Sequence, residues 1–139
     1  MSELADTSAW VWTSTVGGDV RAACDHGLAE GELATCDMVR LELLHGTGNI
    51  EEFRLRRSHL SALPDCPIGP EQWHRALEVS EHLAGQGGSH HRPVKHPDLL
   101  IAAAAESVGV AVVHYDEDYD RIAAVTGQPT RWLAPRGSL

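Results

Sequence analysis

Four acidic residues of this chain each end or interrupt an apolar stretch, where a soluble fold does not favour an unpaired charge: Asp6, Glu42, Asp98 and Asp116. Carboxylates that a fold brings together repel one another and raise each other's pKa unless a cation lies between them. If the fold gathers these distant positions, the pattern predicts a site for a divalent metal ion.

Glu42 gives the clearest indication, because the segment 37–46 has the pattern of a helix. At about 100° per residue, Met38, Leu41, Glu42 and His45 share one face of that helix. We therefore expect Glu42 to point inward with the apolar side chains. An unpaired buried carboxylate is strongly destabilising, so this glutamate needs a cation or a proton. Pairing with a buried Arg or Lys is the alternative.

Asp6 and Asp98 each have an alternative role at a helix terminus. Asp6 precedes Thr7 and Ser8, whose hydroxyl groups could contribute to the same site. It could also cap a helix, and one carboxylate can do both. Asp98 follows Pro97 at a predicted helix N-terminus, where the helix dipole by itself favours an acid.

Asp116 opens the acidic segment DEDYD. Its alternating acids are similar to a calcium loop, but an EF-hand needs Gly at the sixth position and Glu at the twelfth. This chain has Arg121 and Gly127 there, which excludes an EF-hand. Asp116 closes an apolar strand, whereas Asp118 and Asp120 suit the first turn of the following helix. Asp118 is a further candidate, either as a ligand or as support for the ligands.

Strand patterns and helix patterns alternate along the chain. The predicted strands are 2–6, 32–36, 64–68, 110–116 and 129–135, and the predicted helices are 19–30, 37–46, 50–63, 71–86, 97–109 and 117–127. Strands separated by helices predict an α/β protein with a parallel sheet between two helical layers. Ligands of such sheets bind beyond the carboxyl ends of the strands, where Asp6 and Asp116 both lie.

Composition limits the class of protein. A chain of 139 residues has the usual size of one domain, and we expect a single domain over 1–139. The net charge of −9 argues against passive binding of nucleic acid, but not against an enzyme that meets phosphate through metal ions. Three cysteines without a CxxC pair indicate reduced thiols in a cytoplasmic protein. No apolar run is long enough to span a membrane.

The acidic segments together resemble the PIN domain family, and within it the VapC-type toxin ribonucleases. DTSAW carries the first acid with its hydroxyl neighbours, and MVRLELLHG carries the glutamate. HPDLLIAAAAE carries the third acid at the head of an alanine-rich helix, and VVHYDEDYDRIA carries the fourth. The motifs follow the family order over nearly the whole chain, which makes the resemblance specific.

The resemblance implies a three-layer α/β/α fold around a parallel sheet of about four or five strands. It also implies a Mg²⁺- or Mn²⁺-dependent endoribonuclease that acts as the toxin of a toxin–antitoxin pair. Its partners would be an RNA substrate, a cognate VapB-type antitoxin and a second copy in a homodimer. The catalytic residues and metal ligands that it implies are Asp6, Glu42, Asp98 and Asp116, with Asp118 as an additional ligand.

Two other functions stay open for the sequence. A haloacid-dehalogenase-like phosphatase also begins with an Asp after its first strand, but it needs a second Asp two residues later, where this chain has Ser8. A PIN-fold protein that binds a partner without catalysis is the other alternative. Cleavage of RNA in the presence of Mg²⁺, and its loss with a chelator, would distinguish the three.

Overall fold

The computed structural model describes residues 2–15, 25, 30–86 and 93–139. Within these residues, one parallel sheet has four strands in the order β2-β1-β3-β4. The strands are β1 (Glu3–Ala5), β2 (Leu33–Ala34), β3 (Ala111–His114) and β4 (Thr130–Trp132). The predicted α/β class with a parallel sheet is confirmed, and β1 and β3 are the two central strands.

Helices connect these strands. Those described are α1 (Thr7–Thr15), α2 (Asp37–His45), α3 (Ile50–Ser61), α4 (Pro70–Gly85), α5 (His96–Val108) and α6 (Asp118–Thr126). The predicted helix over 19–30 lies outside the described residues, apart from positions 25 and 30. Within the described ranges, no helix is long and apolar enough to cross a bilayer.

The segment 64–68, predicted as a strand, forms an isolated parallel bridge between Thr35 and Asp65 instead. The amide of Cys66 donates to the carbonyl of Thr35 at 2.8 Å, which is part of that bridge. Pro64 and Pro67 flank the contact and lack an N–H donor, so the ladder cannot extend in either direction. The prediction of a regular strand here was wrong for this reason.

Helix α5 forms the centre of the core and carries Asp98 in its first turn. Every residue from Asp98 to Ala105 is buried. Four consecutive alanines, 102–105, allow neighbouring elements to approach the helix closely because their side chains are small. The helix ends at Gly109, whose φ of 74° is left-handed and suits glycine. Burial on all sides fixes the position of the Asp98 carboxylate.

Candidate metal centre

Three carboxylates meet beyond the carboxyl end of β3. Asp116 follows that strand, while Asp98 and Asp118 lie in the first turns of α5 and α6. One oxygen from each of Asp98, Asp116 and Asp118 lies within 4.8 Å of the others. Among the described residues, these three acids form the group that could hold a metal ion. Oxygens at this separation can share a single cation.

Backbone hydrogen bonds hold the group together. The amide of Asp118 donates to Oδ1 of Asp116 at 2.9 Å, so the two acids of the DEDYD segment fold into a tight turn. The amide of Lys95 donates to Oδ2 of Asp118 at 3.1 Å, which connects the start of α5 to the start of α6. The carbonyl of Lys95 accepts the amide of Asp98 at 3.1 Å. The main chain thus fixes all three acids relative to Lys95.

The ammonium of Lys95 lies among these carboxylates. Its Nζ is 2.6 Å from Oδ2 of Asp116, 2.9 Å from Oδ2 of Asp118 and 3.3 Å from Oδ2 of Asp98. Our sequence reasoning missed this residue. Lys95 is the one lysine of the chain and stands three residues before Asp98, a spacing that allows contact at the start of a helix. Those two facts could have identified it.

The pKa values show how these acids share charge. Burial, and a hydrogen bond that protonated Asp98 makes to Asp118, raise the pKa of Asp98 to about 8. Burial acts to raise the pKa of Asp118 too, but hydrogen bonds from Asp98 and Lys95 hold it below its ordinary value. Oδ2 of Asp98 is buried and accepts no hydrogen bond from the described residues, although the Lys95 ammonium lies 3.3 Å away. Oxygen donors of this kind fit a hard divalent cation.

Asp6 lies at the end of β1 and is almost completely buried, with 2% of its surface exposed. The hydroxyl of Ser8 contacts Oδ1 at 2.7 Å and Oδ2 at 3.0 Å, and the amide of Ala9 donates to Oδ1 at 2.9 Å. Asp6 therefore caps α1, as the alternative role predicted. Burial raises the pKa of Asp6 to about 6 despite these hydrogen bonds.

Tyr119 connects Asp6 with the three clustered acids. Its hydroxyl donates to Oδ1 of Asp98 at 3.2 Å and also forms a hydrogen bond that lowers the pKa of Asp6. The side chain is completely buried and stacks on His114 with 4.8 Å between ring centroids. Burial, with the two acids beside it, raises the pKa of Tyr119 well above 10, so the hydroxyl keeps its proton. Our sequence reasoning missed this residue as well.

Glu42 is half-buried rather than enclosed in the core. Helix α2 buries Val39 and Leu44, whereas Leu41, predicted to share the inner face with Glu42, is 63% exposed. Glu42 thus lies at the margin of the buried face. Its Oε1 accepts a hydrogen bond of 2.7 Å from the hydroxyl of Thr7, the residue after Asp6. This bond orients Glu42 toward the segment that carries Asp6.

The structure thus brings together three of the predicted site residues, Asp98, Asp116 and Asp118. Asp6 joins them through Tyr119, and Glu42 joins Asp6 through Thr7. Of the two hydroxyl residues, Ser8 contacts the Asp6 carboxylate and Thr7 contacts Glu42. That these residues bind metal and act in catalysis stays a prediction.

The family model for the PIN domain matches residues 4–125, which include every acid of this arrangement. The chain belongs to the PIN domain family. Among curated relatives, it is 44% identical to Ribonuclease VapC18 of Mycobacterium tuberculosis, over 96% of each chain. It is 39% identical to Ribonuclease VapC21 of the same organism, over 86% of each chain. The resemblance to the VapC-type PIN domains is confirmed.

Solved structures support the PIN fold of the chain. A DNA-bound VapBC of Salmonella typhimurium aligns with a TM-score of 0.75 over 96% of this chain and 99% of that chain, at 18% identity. VapBC-1 of nontypeable Haemophilus influenzae aligns with a TM-score of 0.74 over 96% and 98%, at 17% identity. At these identities the likeness concerns the fold, and it agrees with the observed parallel sheet.

Proposed function

We propose that this PIN domain is a metal-dependent endoribonuclease and the toxin of a toxin–antitoxin pair. Relatives over nearly the full chain are named ribonucleases. The observation that carries the proposal is the group of three carboxylates within 4.8 Å beyond the end of β3. A protein with a net charge of −9 needs a bound cation to approach a phosphodiester at such a site.

The donor set fits Mg²⁺ or Mn²⁺. Asp98, Asp116 and Asp118 offer only oxygen ligands, which hard cations prefer, and Asp6 and Glu42 would complete or support the set. When bound, such an ion lowers the pKa of a coordinated water and neutralises charge on the phosphate. The residues of the chain then have two tasks, which are to hold the ion and to orient the acids.

The surrounding residues perform the orienting task. Tyr119 keeps its proton and donates a hydrogen bond to Asp98, and the same hydroxyl lowers the pKa of Asp6, so it restricts both carboxylates. Ser8 does the same for Asp6, and Thr7 for Glu42. Because each acid is held before any ligand arrives, little reorganisation is needed when RNA binds. No side chain has to act as a covalent nucleophile in this scheme.

The proposed partner is a cognate VapB-type antitoxin, and the proposed assembly contains a homodimer of this chain. A VapBC-5 structure of Mycobacterium tuberculosis, described as a toxin–antitoxin system, aligns over 94% of this chain with a TM-score of 0.58. An apolar groove of about 540 Å³ runs between α2, α4 and α5 and is bordered by Met38, Trp73 and Leu77. Trp73 and Leu77 are exposed, which suits an apolar segment of such an antitoxin.

The test compares cleavage of RNA by the wild type with cleavage by Asp6→Asn and Asp116→Asn. Each substitution keeps the shape of the side chain but removes a negative charge. We expect a loss of about 100-fold or more in the cleavage rate, as when an electrostatic stabiliser is removed from other active sites. Asp37→Asn is the matched control, because Asp37 is 82% exposed and pairs with Arg40 on α2. It should retain full activity.

Removal of metal with a chelator distinguishes the ribonuclease from a phosphatase and from a binding protein. EDTA should abolish cleavage, and Mg²⁺ or Mn²⁺ should restore it. A phosphatase would instead release phosphate from a small phosphomonoester without cutting RNA. A binding protein without activity would retain RNA and leave it intact. Wild-type activity in Asp6→Asn and Asp116→Asn, or cleavage that resists EDTA, would contradict the proposed function.

A further inference from the structure

The single lysine of the chain lies in the acidic cluster. Its Nζ is within 3.3 Å of one oxygen from each of Asp98, Asp116 and Asp118. The three oxygens involved are Oδ2 in every case, and all three lie on the side that faces the ammonium. The cation of Lys95 is therefore located where these carboxylates converge.

A divalent ion would bind the same Oδ2 atoms, because Oδ1 of each acid already accepts a hydrogen bond from the amide of Asp118, from Tyr119 or from Arg121. Mg²⁺ lies at about 2.0–2.1 Å from its oxygen ligands. An ion bound to these oxygens would lie close to an ammonium that is only 2.6 and 2.9 Å from two of them, so the two positive charges would repel each other. We therefore expect the two cations to compete for the cluster.

Lys95 combines a fixed main chain with a side chain that has room to leave. Its backbone amide is bound to Asp118, and its carbonyl accepts the amides of Asp98 and Leu99. The side chain retains 47% of its surface exposure. Rotation of the side chain alone would carry Nζ into solvent without disturbing α5.

The ammonium also has a role when no metal is bound. Three carboxylates so close together repel one another without a cation, and Oδ2 of Asp98 is buried without a hydrogen-bond partner among the described residues. The Lys95 charge compensates this repulsion for all three acids, and Arg121 adds a second cation 3.2 Å from Oδ1 of Asp118. It thus holds the acids in the arrangement that a metal ion would use.

We propose that the Lys95 ammonium is a tethered counter-cation that occupies the metal position of the metal-free protein and is displaced when a divalent ion binds. This inference rests on the proposed function only in taking the cluster as the metal site. On this proposal, Lys95 competes with the metal ion for the three carboxylates. It is neither a ligand of the ion nor a catalytic residue.

The first experiment measures Mn²⁺ affinity by calorimetry for the wild type, Lys95→Met and Lys95→Arg. A neighbouring opposite charge changes the proton affinity of a carboxylate by roughly 10- to 1000-fold. We expect Lys95→Met to bind Mn²⁺ at least about tenfold more tightly than the wild type. Lys95→Arg keeps the charge and should remain within about threefold of the wild type. Equal or weaker binding by Lys95→Met would overturn the proposal.

The second experiment keeps the wild-type sequence, so it does not depend on how well a variant folds. Isotope-labelled lysine gives one side-chain ammonium signal in heteronuclear NMR, because the chain has one lysine. Titration with Mg²⁺ should move that signal to the position of a solvent-exposed lysine, in proportion to the metal bound. A signal that stays unchanged while calorimetry shows Mg²⁺ uptake would overturn the displacement.

The two proposals fail in different ways. If metal displaces Lys95 but the protein leaves RNA intact, the proposed function fails and the displacement stands. If RNA is cleaved in a metal-dependent reaction while the Lys95 signal does not move, the displacement fails and the function stands. If neither the wild type nor Lys95→Met takes up either ion, both are wrong.

Discussion

The hydroxyl of Tyr119 donates a hydrogen bond of 3.2 Å to Oδ1 of Asp98 inside the core. These two residues belong to different helices, α6 and α5, so the bond fixes one helix N-terminus against the other. Because the same hydroxyl also serves Asp6, it connects the acid of β1 with the acids that follow β3. One buried hydroxyl group thus links carboxylates from distant parts of the sequence.

Tyr119→Phe should reduce RNA cleavage by about tenfold and lower the free energy of unfolding by about 1 kcal/mol, the usual cost of losing one intramolecular hydrogen bond. The aromatic ring would still stack on His114, so the fold should persist. Tyr115→Phe is the matched control, because the Tyr115 hydroxyl accepts the amide of Leu139 and contacts no acid among the described residues. Denaturant unfolding and a cleavage assay measure both effects. Equal cleavage rates for the two variants would contradict this role of Tyr119.

Ser8→Ala should destabilise the protein by about 1–2 kcal/mol. The Ser8 hydroxyl donates to Asp6 and accepts the amide of Tyr115 at 2.8 Å, so its loss leaves two polar groups without this partner. Ser14→Ala on the same helix is the control, since Ser14 is exposed and contacts the carbonyl of Val11. Thermal unfolding of the three proteins measures the difference. The prediction is wrong if Ser8→Ala and Ser14→Ala melt together.

Asp98→Asn should stabilise the metal-free protein at alkaline pH. The pKa of Asp98 is raised from 3.8 to about 8, so the folded state holds a proton that the unfolded chain releases. This proton contributes fully to stability below the unfolded pKa of 3.8. The contribution is lost as the pH rises through the folded pKa of about 8. Asparagine has no such dependence. Its advantage over the wild type should therefore grow across this interval, by up to about 1.4 kcal/mol per pH unit, and level off above it.

Denaturant unfolding in EDTA at several pH values measures that advantage. Asp37→Asn serves again as the control, because an exposed acid should give a difference that hardly changes with pH. A pH-independent difference between Asp98→Asn and the wild type would show that burial does not raise the pKa of this carboxylate.

His114→Phe should remove part of the acid sensitivity of the fold. Burial lowers the pKa of His114 from 6.5 to about 4. Between these values the unfolded chain binds a proton that the folded protein excludes, so stability falls as pH decreases. Phenylalanine can keep the contacts with Tyr119 and Trp132 but cannot take up a proton. We expect the wild type to lose up to about 3 kcal/mol more than the variant over this interval.

Unfolding curves at mildly acidic pH provide the measurement for His114→Phe. The comparison concerns the slope with pH, because the substitution also removes the acceptor of the Asp116 amide. Parallel slopes for the wild type and the variant would assign the acid sensitivity to other groups.

The parallel α/β class and the helices that carry the acids were predictable from the sequence. Prolines, glycines and apolar runs mark their ends locally, as at Pro97 and Gly109. The segment 64–68 was harder, because its β-type pattern competes with two prolines that prevent a ladder. The orientation of α2 was also missed. Leu41 is exposed and Val39 is buried, since tertiary packing decided which face turns inward.

The acids of the site were predictable one by one, but their arrangement was not. Asp98, Asp116 and Asp118 could be selected because each stands at the end of an element. Tyr119 has no such local mark, and the spacing of Lys95 from Asp98 does not show that Lys95 also contacts acids of another element. A lysine before a helix and a tyrosine within one have many ordinary uses in proteins. Only the packing of α5 on α6 brings both side chains into contact with the same group of acids.

The buried alanines of α5 determine where the first turn of that helix, with Asp98, is positioned. Ala102 to Ala105 are at most 5% exposed, and the helix they form begins with the turn that holds Asp98. A larger side chain at any of them would push the whole helix sideways and move that carboxylate away from Asp116 and Asp118. We therefore expect bulkier residues in this stretch to disturb the acidic cluster as well as the packing of the core. The proposed cleavage activity would be lost in this way without any change to an acid.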